Sequence, residues 1–358
     1  MEEARPIKAL VVDDAAFMRK QLVEALSRSG EIEVVAVARH GLEALEAIKT
    51  LKPDVITLDV DMPVMDGLTT IKHIMVKNPI PVVMVSGLAD QGKITFEALR
   101  LGAIDFFPKP SGTISKDIKD KSEELIKTLR VAANTNPKAI KRAVSKGKGN
   151  KKDTQRPEKA RGVVVVLARQ GAVSSFIRLL SALNELKGVG FVCIQDISPT
   201  VLSAYSKELG KFFSCSPFNG RKVAIEAGRC IVVSESRLPV LKREAGGLCL
   251  VPSQQPLSLD EALNRISDGL GERLCLVVLG GQVPGEVSFV DRVVSSGGEV
   301  IALSPEKCAC SELSKFILEN GKGQVASSEQ ELWEKIRGFS RRIFLQGINK
   351  GDKQVKNP

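Results

Sequence analysis

Five short apolar runs alternating with helical patterns in the first 133 residues constrain this chain more than any other feature. The runs are Ile7–Val12, Val34–Ala38, Val55–Leu58, Pro81–Val85 and Ile104–Phe107. Helical spacing of apolar residues falls between them, over 17–29, Leu42–Leu51, Thr69–Val76 and Ile94–Leu101, and Lys119–Ala133 closes the series. Strands that are apolar throughout, each followed by a helix, imply a parallel sheet covered on both faces.

A second α/β pattern begins at Gly162 with VVVVLA. A helix (Ser174–Glu185), a strand (Val189–Gln195), a helix (Pro199–Leu209) and a hairpin-rich stretch (Lys222–Leu250) follow. Leu274–Leu279, a helix over Val287–Ser295 and a strand over Glu299–Leu303 complete the pattern. The expected fold class is α/β with two domains: a five-stranded parallel (βα)5 unit over 1–133 and a doubly wound unit over 162–345. Between them, 134–161 reads as a basic flexible linker whose Lys, Gly, Asn and Pro cannot support a core. Residues 346–358 are expected to form a disordered tail.

The net charge of +10 raises the question of nucleic acid. Residues 138–161 hold ten Lys or Arg against only Asp153 and Glu158, so the excess is concentrated in one low-complexity stretch. A solvated linker explains it, with weak contact to an acidic or membrane surface as the alternative. The chain has one Tyr and one Trp, and no aromatic residue interleaves the basic stretch. No specific nucleic-acid partner is therefore expected. No run of 18 apolar residues suggests a membrane span. The seven Cys all follow residue 190, at irregular spacing. Reduced, mostly buried thiols in a cytoplasmic protein fit this usage, and Cys308-x-Cys310 has the wrong spacing for zinc.

Ligands of an open α/β sheet bind at the carboxyl ends of its strands. Asp13 and Asp14 follow the first strand, Asp59 follows the third, and Asp61 stands two residues on. Close carboxylates repel and need a hard divalent cation, for which Mg²⁺ is the natural partner of oxygen ligands. Ser86 ends the fourth strand and can hydrogen-bond a phosphoryl oxygen. Lys109 ends the fifth and brings a point charge to the same oxygens. Acids, hydroxyl and ammonium together suit phosphoryl transfer, with Asp59 as the nucleophile forming an acyl phosphate.

The ordered motifs VVDDAAFMRK, LDVDMPVMDG, VMVSG and GAIDFFPKP resemble the response-regulator receiver family. That resemblance implies that Asp13, Asp14 and Asp59 hold Mg²⁺ with the main-chain carbonyl of Asp61. It implies also that Ser86 and Lys109 sense the phosphate, and that Phe106 is the aromatic switch. Ordinary core packing is the other reading of Phe106. A histidine kinase is the implied phosphodonor.

Residues 162–345 resemble the catalytic domain of chemotaxis protein-glutamate methylesterases. The resemblance lies in VVVVLA, FVCIQDISPTVLSAYSKEL, PFNGRKVAIEAGRCIVV, PLSLDEALNRIS and CLVVLGGQVPGEVSFVDRVVSSGGEVIALSPEKC. Those enzymes use a Ser-His-Asp triad, and chemoreceptors are the implied partners. Here Arg169 stands at the serine position, Asp196 follows Gln195 where the family has its histidine, and Gly285 stands at or beside the aspartate position. The chain's two histidines, His40 and His73, both precede the second domain and are expected at the surface. A triad of the family's kind therefore cannot be assembled within 162–345. An Arg169–Asp196 salt bridge across the cleft is one expectation. The expected function is a phosphorylation-dependent chemotaxis-type regulator signalling through an inactive, methylesterase-like binding domain. The alternative is an active methylesterase or deamidase using non-standard residues, with Glu286 as base and Ser174, Ser175 or Cys193 as nucleophile.

Overall fold

IKALVV over Ile7–Val12 (β1) is rich in side chains that fit a pleated strand, and its last four residues are buried. In a computed structural model, the residues described are 5–86, 91–109, 116–134, 158–169, 172–180, 183, 186–197, 199–211, 213–308 and 310–352. The chain divides into two compact units, Met1–Ala143 and Val144–Pro358.

In the first unit β1 leads to α1 (Ala16–Ser27), which buries Leu22 and Leu26 one helical turn apart. β2 (Ile32–Ala38), α2 (Gly41–Leu51), β3 (Val55–Leu58), α3 (Gly67–Lys77), β4 (Val82–Ser86), α4 (Gln91–Leu101), β5 (Asp105–Pro108) and α5 (Lys116–Ala133) follow. Every strand pair is parallel, and the order is β2-β1-β3-β4-β5. The strand order reverses between β1 and β3, which opens a crevice at their carboxyl ends. Side chains start two of the helices. His40 Nδ1 accepts the Glu43 N–H of α2 at 3.3 Å, and Asp66 accepts the Thr69 N–H of α3 at 2.6 Å. His40 is therefore a half-buried cap, and His73 is half-buried too, where surface positions are expected from sequence.

In the second unit the described elements are β6 (Gly162–Ala168), α6 (Val173–Leu180), β7 (Val189–Gln195), α7 (Pro199–Leu209), β8 (Cys215–Pro217), β9 (Val223–Ala224), β10 (Cys230–Ser234), β11 (Pro239–Glu244) and β12 (Gly247–Pro252). After these come α8 (Leu259–Leu270), β13 (Leu274–Gly280), α9 (Phe289–Ser295), β14 (Glu299–Leu303), α10 (Glu312–Glu319), β15 (Gln324–Ala326) and α11 (Glu329–Asp352). Seven strands form a parallel sheet in the order β15-β14-β13-β6-β7-β10-β8, and β11-β12-β9 form a small antiparallel sheet. β6, β7 and β13 are buried along their whole length, as strands sandwiched between helix layers must be. The doubly wound α/β class expected from sequence is the fold observed for each unit.

Two expectations need correction. The stretch 222–250 is not all hairpin: β10 leaves it to pair in parallel with β7, because CIVVS is apolar enough to be buried on both faces. Residues 346–352, expected to open a disordered tail, are helical. α11 continues to Asp352, carried by buried Leu332, Ile336, Phe339 and Ile343 at helical spacing, and 353–358 lie outside the described residues. Of the helix expected over Ser174–Glu185, α6 carries the part to Leu180, and 181, 182, 184 and 185 lie outside the described residues. Most of the basic stretch, 135–157, also lies outside the described residues.

Gly67 fixes the approach of α3 to the crevice. A Cβ there would fall 2.0 Å from the Asp59 carbonyl oxygen. We expect Gly67→Ala to destabilise the first unit by about 2–4 kcal/mol, since the obstacle is backbone rather than a flexible side chain. Urea unfolding of the full chain checks this.

Candidate functional site

The carboxyl ends of β1 and β3 deliver Asp13 and Asp59 into the crevice. Backbone bonds fix both strand ends: the Asp13 N–H donates to Ala38 O at 3.1 Å and the Asp59 N–H to Val12 O at 2.9 Å. One oxygen of each side chain is held locally. Ala15 N–H donates to Asp13 Oδ1 at 2.9 Å, and Val60 N–H to Asp59 Oδ1 at 2.8 Å. Lys109 Nζ then lies 2.8 Å from both Asp13 Oδ2 and Asp59 Oδ2. Arg19 braces the turn by donating to the carbonyls of Asp13 and Asp14 at 2.7 and 2.8 Å.

Asp13 and Asp59 are buried, whereas Asp14 is exposed. A carboxylate oxygen from each of the three lies within 4.8 Å of the others. Burial raises the pKa of Asp59, opposed by the hydrogen bond and charge of Lys109 and reinforced by the charge of Asp13. For Lys109, burial works downward, but its bonds to Asp13 and Asp59 outweigh it and the pKa is raised. The ammonium stays charged, and its single positive charge faces three acids.

Ser86 ends β4 and is buried, and the Lys109 N–H donates to its carbonyl at 2.8 Å. These two positions therefore close the crevice on the far side of β3 from β1. Asp61 is exposed, and its carboxylate is outside the three-acid group; the expectation concerned its main-chain carbonyl. Phe106 is half-buried on β5, beside a Phe107 that is fully packed.

The second unit has its own reversal of strand order, between β6 and β13. Arg169, Asp196 and Gly285 follow β6, β7 and β13, three neighbouring strands, so all three belong to the carboxyl end of the sheet. Asp196 and Gly285 are exposed, and a Cβ at Gly285 would meet nothing within 4 Å. Arg169 is buried. Its Nε donates to Glu235 Oε2 at 2.7 Å and one terminal nitrogen to Glu235 Oε1 at 3.0 Å, while the other donates to the Gln282 carbonyl. The ion pair expected with Asp196 is thus formed with Glu235, which stands just past β10 and matches the guanidinium fork with both oxygens. Gly281, with φ +126°, leaves room for this side chain: a Cβ there would lie 2.6 Å from Arg169 Cβ. Glu235 and Gln282 were not singled out in the sequence. Glu235 had the relevant signal, an acid directly after an apolar strand run.

Ser175 is buried, 3.0 Å from Arg178, which is paired with Glu329. The side chain of Ser174 lies outside the described residues. Cys193 is fully buried, with a thiol pKa pushed up by that burial, and Glu286 is exposed. All seven cysteines are free. The loop after β13 is anchored by buried Asp260, which accepts from the Ser288 N–H and hydroxyl at 2.6 Å each and from the Phe289 N–H at 2.9 Å.

Residues 9–122 match the response regulator receiver domain. The protein-glutamate methylesterase/protein-glutamine glutaminase of Pyrococcus horikoshii is 30% identical over 332 residues, spanning 88% of this chain and 89% of that one. The chain belongs to that family. Similarity within the family is uneven along the chain. A second Carboxydothermus hydrogenoformans member is 51% identical over 128 residues, 36% of each chain. The response regulator domain of Thermotoga maritima CheB is 47% identical, with TM-score 0.35, covering 37% of this chain and all of that one. No helix among the described residues is long and apolar enough to cross a membrane.

Two expectations follow. Asp59→Asn removes a buried charge whose folded pKa lies above its unfolded value. The ionised group is therefore a penalty at neutral pH that fades as pH falls through the raised pKa toward the unfolded one. Without divalent cations the variant should be the more stable at neutral pH, with its advantage shrinking toward pH 3 in urea melts. Arg169→Leu should destabilise by about 3 kcal/mol by stranding Glu235, and adding Glu235→Leu should restore most of the loss in a double-mutant cycle.

Proposed function

We propose that the chain is a phosphorylation-responsive regulator of a chemotaxis-type relay, in which a histidine kinase donates a phosphoryl group to Asp59. The supporting observation is the crevice in which Asp13, Asp14 and Asp59 face one ammonium, that of Lys109. The site fits Mg²⁺: its donors are hard oxygens, they converge, and the exposed Asp14 opens it to solvent. Asp13, Asp14 and Asp59 would hold the ion, with the Asp61 carbonyl as a further oxygen. Bound there, the ion supplies positive charge for the phosphoryl oxygens.

The chain's own groups do the rest. An Asp59 oxygen forms the new bond to phosphorus as the donor imidazole's bond to phosphorus breaks, and the imidazole leaves with the electron pair. Lys109 follows the negative charge onto the phosphoryl oxygens, loosening its hold on Asp59 Oδ2. Ser86, at the next strand end, offers a hydroxyl to the same group. Phe106, half-buried on β5, is the side chain expected to repack.

The second unit acts in this proposal as a binding shell for chemoreceptors rather than a hydrolase. Two features support it. The chain has no histidine beyond His73, and the residue after β6 is an arginine held by Glu235 and the Gln282 carbonyl. A guanidinium held in this way has no nucleophilic lone pair to offer, and the carboxylate beside it is committed to the ion pair.

Acetyl phosphate with Mg²⁺ should label the full chain in a form cleaved by base and by hydroxylamine, and Asp59→Asn should take up less than about a hundredth as much, given that transfer needs the carboxylate. Uptake equal to the native chain would refute Asp59 as acceptor. Methylated chemoreceptor incubated with the phosphorylated full chain should release no methanol above background; release that Arg169→Ala abolishes would restore the hydrolase.

A further inference from the structure

The amino-terminal ends of β6 and β13 border a cleft of about 620 Å³, at the opposite end of the sheet from Arg169. Arg161, Arg243 and Arg273 line it, with Asp268 and Glu272 as the acids. The basic stretch of the sequence ends here. Lys159 lies against Gly247 at the rim, 3.6 Å from where a Cβ would stand.

The carboxylates of the neighbourhood are largely committed elsewhere. Asp268 pairs with Arg292 at 2.5 Å, Glu226 with Arg229 at 2.7 Å, and Glu244 with Lys222. Arg161 has Glu158 at 3.7 Å, donates to the Phe344 carbonyl at 3.3 Å and lies over the Phe344 ring. Arg243 and Arg273 are left close to one another with Glu272 as the remaining acid. Burial first, then the charge of Arg243, holds the Arg273 pKa below its ordinary value, with Glu272 opposing. The carboxyl end of α8 adds about half a negative charge. That does not neutralise two guanidinium groups.

We propose that this cleft binds a phosphate-bearing anion of nucleotide size. Guanidinium forks match phosphate oxygens in both charge and shape. The volume falls in the range of roughly 300–1,000 Å³ typical of small-molecule sites, well beyond a single phosphate. Leu248, Leu270 and Ile343 supply an apolar wall for the uncharged part of such a ligand. Arg161, already stacked and hydrogen-bonded, is the fixed member; Arg243, exposed on β11, is the one able to close over the anion. Lys159 at the rim adds a further positive charge that draws anions toward the opening.

The test is calorimetric titration of the full chain, without Mg²⁺ so that the Asp59 crevice takes no part, using ATP, inorganic pyrophosphate and vesicles containing phosphatidylglycerol as probes. Saturable one-to-one binding of ATP is expected. Arg243→Gln and Arg273→Gln should each weaken it about tenfold, the loss of one charge-assisted contact, while Lys322→Gln leaves it unchanged. Arg243 is exposed, so its substitution keeps the test clear of folding defects. Pyrophosphate bound as tightly as ATP would overturn the nucleotide-sized ligand. Vesicle binding without ATP binding, or ATP binding that both substitutions leave intact, would overturn the site.

Discussion

The ammonium of Lys109, 2.8 Å from both Asp13 and Asp59, is the contact on which the first unit's crevice depends. Two buried carboxylates at adjacent strand ends would repel, and the exposed Asp14 adds a third charge. One cation brings the pair together without satisfying the group, so the crevice keeps an excess of negative charge. Burial first, and then the charge of Asp13, raise the pKa of Asp59 against the opposing hydrogen bond and charge of Lys109. A second cation would lower that excess.

The two units place their charges at equivalent topological positions and treat them in opposite ways. Each parallel sheet reverses its strand order once, and each reversal receives a charged side chain from the strand ends. In the first unit the charges are mismatched. In the second, Arg169 meets a bidentate carboxylate and a main-chain carbonyl, so its charge and donors are matched inside the fold. A matched, buried pair resists displacement, because removing either partner strands the other. One crevice keeps an excess of charge, and the other holds its buried arginine in a satisfied pair.

Much of this was readable from the chain, for a local reason. β1, β3, β7 and β14 fall at the expected limits because each is an apolar run cut off by charge, Gly or a polar turn. The acids at the strand ends then followed from topology. The failures have non-local causes. β8 and β15, of three residues each, have too little sequence for a period, and they exist because a neighbouring strand offers a free edge. β10 lies among hairpin strands in sequence yet pairs with β7, a choice made by burial. Arg169 was found and its partner was not: Glu235 is 66 residues away, and an ion pair over that distance is set by strand order, not by spacing.

Among the described residues, the core cluster of the second unit includes none of Arg169, Asp196 and Gly285, the residues past the β6, β7 and β13 ends. Its core is built from the apolar strands and from Leu263, Ile266, Phe289 and Val293 packed on them. The loop past β13 is tied to α8 by Asp260, whose pKa is lowered because the Ser288 and Phe289 bonds outweigh its burial. Fold and chemistry are therefore separable in this unit, and the fold accommodates a buried arginine at the end of β6. What the arginine sets is the chemistry of the crevice, where Glu235 and the Gln282 carbonyl leave its charge and donors satisfied inside the fold.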